Sequence, residues 1–151
     1  MPAIRSTGAD NITGKYLTKA STAIALNSVL TMDSTTGHLQ PAVTASTNIK
    51  GIARQLVAST DADYATARPT IIDVPAPNDL YEIDCNTTIT QAMCGDDFDL
   101  ASATVLDNSQ AGTVKHCQIV SIKQPTYTSA ALPSIAIVRF NPVVLFQTSA
   151  T

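Results

Sequence analysis

Charged residues are scarce in this chain. They make up 14% of its 151 residues, whereas an average soluble protein has roughly 25%. Glu82 is the only glutamate, so the other acidic residues are all aspartate. Helices rely on Glu, Lys, Arg and Leu for their solvent-facing positions. A chain that has few of these residues and many Thr, Val and Ile is therefore predicted to form strands.

The signals for nucleic-acid binding, secretion and membrane insertion are also missing. The net charge is −3 and the nine basic residues are scattered, so we expect no nucleic-acid partner. The opening "MPAIRSTGADN" has no apolar stretch of the signal-peptide kind. The most apolar segment, 130–146, is interrupted by Pro133, Arg139 and Pro142 and falls short of the roughly 20 residues that a membrane helix needs. We therefore expect synthesis in a cytosol and no membrane partner.

Cysteine and histidine form no recognisable catalytic or metal-binding pattern. Cys85, Cys94 and Cys117 include no C-x-x-C pair, so we predict buried thiols, with one disulfide as the alternative. His116 and Cys117 are neighbours in a predicted strand; their side chains point to opposite faces, so they cannot form a dyad. Phosphate-binding loops, G-x-S-x-G and H-E-x-x-H are absent. We expect no catalytic residues, no metal and no cofactor.

Three carboxylates fall within four residues in the stretch "GDDFDLAS", at Asp96, Asp97 and Asp99. A Ca²⁺ ion takes six to eight oxygen ligands, and the longer loop pattern that ends in Glu is absent here. We interpret the stretch as a turn whose short acids accept backbone N–H bonds. A bound cation is the alternative.

Short apolar runs separated by turn residues continue along the chain. Leu30 and Met32 alternate with polar residues, and Gly37 in "DSTTG" can take the positive φ of a hairpin turn. Pro41 cannot donate a ladder hydrogen bond, so the return strand is predicted at a sheet edge. Gly51 within the next strand predicts a bulge or a close backbone approach.

The later runs complete the prediction of an all-β fold. The segments "LYEIDC", "TVKHCQIVSI" and "SIAIVRF" are predicted strands. The apolar run "IAIVRFNPVVLFQ" closes the chain; it must be a core strand or be covered by another subunit, because a free edge of this kind promotes aggregation. In "TTITQAMCG", Thr88 and Gln91 have capping-box spacing and Gly95 stands where a helix ends, which predicts one short helix of two turns. With seven to nine short antiparallel strands, residues 21–151 are predicted to form one sandwich or small β-barrel domain.

Residues 1–20 show little alternation, and we interpret them as an extended N-terminal arm. Arg5, Lys15, Tyr16 and Lys19 are the side chains in it that could contact a neighbouring protein. Twenty extended residues reach roughly 65 Å. The alternative is a frayed terminus without a role.

Two long stretches resemble tailed-bacteriophage head decoration (cement) proteins. The first, "GKYLTKASTAIALNSVLTMDSTTGHLQPAVTASTNIKGIA", resembles their opening, and "VPAPNDLYEIDCNTTITQAMCGDDFDL" is similar to their middle section. The resemblance implies a small β-barrel or β-tulip domain that sits on the outside of the virion capsid, commonly as a homotrimer. It implies the major capsid protein as partner, capsid stabilisation against internal pressure as function, and synthesis in the host cytoplasm.

The resemblance also suggests where the contacts would lie. The residues expected to contact the capsid are Arg5, Lys15, Tyr16 and Lys19. The residues expected at the trimer interface are Phe140, Val143, Val144, Leu145 and Phe146. A receptor- or glycan-binding β module of a virion fibre or adhesin is the first alternative, and it would need exposed aromatic residues or a cation site. A small hydrolase that uses Asp73, Asp84 or His38 is the second.

Overall fold

The fold is all-β, as predicted. The computed structural model describes residues 4–5, 13–127 and 133–145, with side chains from residue 16 onward. Its strands are β1 (Ile4–Arg5), β2 (Thr13–Leu17), β3 (Val29–Met32), β4 (Leu39–Pro41), β5 (Ile49–Ala53), β6 (Pro69–Asp73), β7 (Tyr81–Cys85), β8 (Asp97–Ser102), β9 (Val105–Asp107), β10 (Cys117–Gln124) and β11 (Ser134–Phe140).

The first sheet closes into a small barrel. Its strand order is β1-β7-β11-β10-β8-β9, and β9 also pairs with β7. That last pairing is parallel and aligns Asp84 with Val105 and Cys85 with Leu106. Strands β7, β11, β10, β8 and β9 therefore form a ring. Strand β1 pairs with Tyr81 and Glu82 of β7, on the same edge on which β9 pairs with Asp84 and Cys85.

The second sheet has the order β2-β6-β5-β3-β4 and curls on itself. Directly after β2, Thr18 forms a parallel bridge to Leu39 of β4, and the Lys19 amide donates to the Leu39 carbonyl at 2.8 Å. Pro41 lies in β4, the last strand in the order. The predicted edge position of this proline-containing strand is confirmed.

The main core lies between the barrel and one face of the second sheet. Val29, Ile49 and Ile52 of the sheet share one buried cluster with the barrel residues, among them Tyr81 and Phe140, whose rings meet edge to face at 5.4 Å. A backbone bond from the Val29 amide to the Ala103 carbonyl, 2.7 Å long, also joins the two sheets.

A second cluster covers the opposite face of the second sheet. Since successive residues of a strand point to opposite faces, Val29 belongs to the main core and Leu30 to this second cluster. The remaining buried members are Ile24, Leu39, Ala53, Val57 and Ile72. This sheet is therefore buried on both faces, and its central strands show no simple alternation of apolar and polar residues.

Both predicted glycine positions are confirmed. Gly37 has φ +70 in the turn between β3 and β4. At Gly51 the β3–β5 register shifts, and an added Cβ would lie 2.6 Å from the Asp73 carbonyl oxygen and 2.7 Å from Cδ1 of Ile72. Strand β6 packs this close to β5 because position 51 has no side chain.

The helix predictions are wrong in extent and place. The stretch around Thr88 forms only one turn of 3₁₀ helix, Gln91–Met93, with Thr90 at its N-cap position and no side-chain cap bond. An α-helix, α1 (Pro142–Leu145), lies instead in the apolar segment that closes the chain, and its Val144 and Leu145 belong to the main core.

Two other predictions change as well. The carboxylate stretch predicted as a turn becomes strand β8, Asp97–Ser102, which pairs with β9 and β10. The predicted arm contributes β2, paired with β6 over all five of its residues, and β1, paired with β7. Residues 13–17 of the predicted arm are therefore paired within the second sheet, and residues 4–5 within the first.

Replacing Gly51 with alanine tests the close approach of β6 to β5. We expect Gly51→Ala to lower the free energy of unfolding by about 1–3 kcal/mol, because the new methyl group forces backbone to move. Urea unfolding followed by circular dichroism measures this loss. Ser34→Ala, at an exposed turn position, is the control and should change stability by less than about 0.5 kcal/mol; equal stability of the two variants would contradict the packing.

Candidate functional site

The residues predicted to contact a capsid lie along β2 and the segment after it. Tyr16 is 37% exposed at the sheet edge. Lys19 donates to Oε1 of Gln40 at 3.3 Å, and its ammonium lies 3.6 Å from the Asp33 carboxylate. The backbones of Arg5 and Lys15 are paired in β1 and β2, but their side chains lie outside the described residues.

An exposed apolar surface adjoins these residues. In the antiparallel β2–β6 pair, Leu17 stands opposite Pro69 and residue 15 opposite Ile71, so Leu17, Pro69 and Ile71 share one face of the pair. We call these three residues the β2–β6 face. Leu17 is 44% and Ile71 42% exposed. Sequence reasoning missed Leu17 and Ile71. The signal was the pair Ile71-Ile72, whose side chains point to opposite faces of a strand, but the sequence does not show whether both faces are covered.

The predicted trimer interface is mostly internal to the chain. Phe140, Val144 and Leu145 are buried in the main core, so in this fold they cannot form a surface between copies. Val143 is 57% exposed on α1. Phe146 lies outside the described residues. Burial in the main core thus accounts for the apolar character of these three residues.

A buried histidine joins the barrel to the second sheet. His116 immediately precedes β10 and is fully buried. Its Nδ1 accepts the Leu100 amide at 3.2 Å, and its Nε2 lies 2.6 Å from the Ser46 carbonyl oxygen in the loop between β4 and β5. Because an amide only donates and a carbonyl only accepts, the ring is neutral with its proton on Nε2. The partners of His116 are thus backbone groups, and Cys117 is not one of them.

Asp99 holds the turn that precedes His116. Its carboxylate accepts the backbone amides of Thr113 at 2.7 Å, Val114 at 2.9 Å and Lys115 at 2.6 Å. Burial raises the pKa of Asp99, but these three bonds together with His116 outweigh it, and the net shift is downward. The turn contains Lys115 at φ +63, and Nδ2 of Asn141 donates to the Lys115 carbonyl at 2.6 Å. The prediction that short acids here accept backbone N–H bonds is confirmed for Asp99.

The other candidate residues are placed in separate parts of the fold. The Asp73 carboxylate is paired with the Arg54 guanidinium, which also donates to Oδ1 of Asn27 at 2.7 Å. Asp84 lies in β7 of the barrel and His38 in the turn before β4. The three residues considered for a hydrolase thus lie in three different elements, and the Asp73 carboxylate already has Arg54 as a structural partner.

The three cysteines are free thiols in the structure. Cys85 and Cys117 are buried, and Cys94 is half-buried. Burial raises the pKa of Cys85 to about 12 and that of Cys117 higher still. Both buried thiols are therefore held in the protonated form, which is a poor nucleophile.

One cleft opens at the end of the barrel, between the 3₁₀ turn, the start of β8 and the loop 108–115. It has a volume of about 520 Å³. Its lining includes the apolar side chains of Met93 and Phe98 and the polar side chains of Asp96, Gln110 and Lys115. The cleft combines a small apolar surface with groups of both charge signs, which suits a polar ligand with some apolar surface.

Within the described residues, no three His, Cys, Asp or Glu side chains come together as a metal-binding group. In the same part of the chain, no helix has the length and apolar character needed to cross a membrane. A scan against protein-family models finds no match to this chain, and a search of curated proteins finds none either.

Replacing Asp99 tests its role in the turn. Asp99→Asn leaves one acceptor oxygen for three amides, so we expect the free energy of unfolding to fall by about 2 kcal/mol. Urea unfolding at pH 7 measures the change. Asp96→Asn is the matched control: Asp96 is exposed and its carboxylate bonds to no other described residue. Equal effects of the two substitutions would argue that the turn does not depend on Asp99.

Proposed function

We propose that this chain is a structural virion protein that binds the outer surface of a phage capsid through strand β2 and the β2–β6 face, and stabilises the shell there. The observation that carries the proposal is the exposure of Tyr16, Leu17 and Ile71 on an edge strand and its neighbour. Exposed apolar groups beside a free strand edge are a common basis for association with another protein. They fall within the stretch whose sequence resembles capsid decoration proteins.

The proposed contact uses surface that the fold itself does not need. Leu17 and Ile71 belong to neither core cluster, so each can be desolvated by a partner without loss of internal packing. Lys19 lies at the end of the same segment with its ammonium within ion-pair distance of Asp33. The partner on the capsid protein would therefore present an apolar patch, with polar or acidic groups at its rim toward Lys19.

The proposed assembly on the capsid is a homotrimer. Three linked copies would turn the second and third capsid contacts into intramolecular ones and so raise avidity over a single copy. A cyclic trimer also matches the three-fold symmetry of a capsid surface. Of the residues first expected between copies, Val143 remains exposed for such a contact.

Binding to phage heads that were assembled without this chain tests the proposal. We expect Leu17→Ser and Ile71→Ser each to weaken binding about tenfold, since each removes an apolar side chain worth about 1.5 kcal/mol or more when buried. Val120→Ser, 41% exposed on β10 of the barrel, is the matched control and should bind like the unmodified protein. Co-sedimentation gives the affinity, and averaged electron micrographs of decorated heads show whether three copies surround each three-fold axis.

Two results would count against this function. One is no binding of the unmodified protein to heads at any concentration tested. The other is an equal loss of binding in all three variants, which would place the contact elsewhere.

A receptor- or glycan-binding module is the second candidate, and the barrel-end cleft favours it. The cleft offers the Asp96 carboxylate, the Gln110 amide and the Lys115 ammonium together with an apolar surface. Of the tyrosines in the described residues, Tyr16 and Tyr127 are exposed. Tyr81 is buried against Phe140, and the Tyr64 hydroxyl donates to the Ser21 carbonyl at 2.9 Å, so these two give the candidate less support.

A glycan array probed with the labelled protein tests the cleft. If the cleft binds a sugar, Asp96→Asn should reduce the signal at least tenfold, because a neutral amide replaces a charged acceptor for sugar hydroxyls. Asp63→Asn, an exposed aspartate of the 58–68 loop, should leave the signal unchanged. A blank array for the unmodified protein would remove this candidate.

A further inference from the structure

We propose that His116 is a proton-sensitive latch between the barrel and the second sheet, closed when the imidazole is neutral and released when it binds a proton. The closed state is the one in the structure. One ring nitrogen accepts the Leu100 amide of β8 at 3.2 Å, and the other donates to the Ser46 carbonyl of the second sheet at 2.6 Å. A single neutral ring thus serves both halves of the molecule.

Protonation removes one of these two bonds by necessity. A protonated Nδ1 carries a hydrogen and can no longer accept the Leu100 amide. Leu100 is fully buried, so its N–H would be left without a partner away from water, which is costly. The nearest new acceptor for the Nδ1 proton is Oδ1 of Asp99, 3.4 Å away. The ring would therefore have to move toward Asp99 and strain its bond to Ser46.

Asp99 compensates only in part, because its carboxylate is already engaged. The carboxylate accepts hydrogen bonds from the amides of Thr113, Val114 and Lys115. If Asp99 moved toward the ring, these three hydrogen bonds would weaken. The two responses oppose each other: attraction between Asp99 and a charged ring favours protonation, while loss of the Leu100 and turn bonds opposes it.

The other charged groups near the ring are few. Asp97 of β8 accepts from the Asn141 amide at 3.0 Å, and the exposed Lys115 precedes the ring in the chain. On β10 and β11, the Cys117 thiol stays neutral because burial raises its pKa, and Arg139 donates to Gln118 at 2.9 Å. From the side of the second sheet, loop 42–48 carries no ionisable residue, and neither does α1. On that side the Ser46 carbonyl bonds to Nε2 in either protonation state, and the described residues of loop 42–48 and α1 offer no carboxylate to a charged imidazole.

The direction of the pH effect follows from the burial. Burial is the largest influence on His116 and lowers its pKa, against the raising effects of Ser46 and Asp99. The folded chain therefore binds this proton less readily than the unfolded chain, whose histidine titrates near pH 6.5. Stability is full above about pH 6.5 and falls as the pH drops below it. The Asp99 carboxylate, with its lowered pKa, titrates in a lower pH range and leaves this window to His116.

Two histidines in the chain, His38 and His116, make a proton NMR titration of the folded protein direct. His38 lies in a turn, and the His38→Gln variant assigns the two signals. We expect the His116 signal to titrate at a lower pH in the folded protein than in the urea-unfolded chain, because burial lowers the pKa of His116. A folded-state midpoint at or above the unfolded-state midpoint would overturn the latch, and this result needs no His116 variant to fold.

Urea unfolding at pH 7.5 and pH 5.5 measures the effect on stability. We expect the unfolding equilibrium constant to rise up to about tenfold between these values in the unmodified protein. His116→Gln should remove most of that rise, and the control His38→Gln should retain it. An unchanged constant in the unmodified protein, or an equal rise in His116→Gln, would overturn the proposal.

Amide hydrogen exchange locates the release. After correction for the intrinsic rates, protection of the Leu100 amide should fall at pH 5.5 relative to pH 7.5, while the amides of β7 stay protected. Equal losses at both places would mean global unfolding without a latch at His116.

Discussion

The apolar layer between the barrel and the second sheet is the constraint from which the rest of the structure follows. Val29, Ile49 and Ile52 on one side meet Tyr81 and Phe140 on the other. A chain with so little charge has few other means of holding two sheets together, so this layer supplies most of the favourable free energy. The direct polar bonds across it are backbone-centred: Val29 to Ala103, and His116 to Ser46. These two bonds fix the position of one sheet relative to the other, because hydrogen bonds are directional and apolar packing is not.

The same layer decides which polar residues serve the fold and which remain for a partner. Asp99 and Asp73 are both buried, and each is used internally, one by a turn and the other by Arg54. The charges of these two aspartates thus stabilise the fold itself. Leu17 and Ile71, on β2 and β6, are outside both core clusters and exposed. The proposed capsid binding rests on these exposed residues, and the proposed latch rests on the contact between His116 and Ser46.

Much of the fold could be predicted from the local sequence, and the correct predictions have a common reason. Gly37, Gly51 and Pro41 impose backbone limits that hold in any environment, so the turn, the bulge and the edge strand were predicted correctly. The alternation in Tyr81–Cys85 likewise matches its burial, in which every second residue is buried. The candidate site was predicted less well: Tyr16 and Lys19 lie beside the exposed face, but Leu17 and Ile71 were not recognised, and Phe140, Val144 and Leu145 proved to be core.

The amino-acid sequence by itself determined that the protein is all-β, since low charge and β-branched residues disfavour exposed helices, and it determined where the backbone must turn. The tertiary structure alone decided which apolar residues are core and which are surface. Strand β2 pairs with a strand that is distant in the chain, as residue 17 does with residue 69, and helix α1 packs against β5. Local periodicity does not record partners at such distances. For the same reason, only folding brings His116 to Ser46, which is 70 residues away in the chain. The burial of His116 at this contact is the physical basis of the proposed latch between the two sheets.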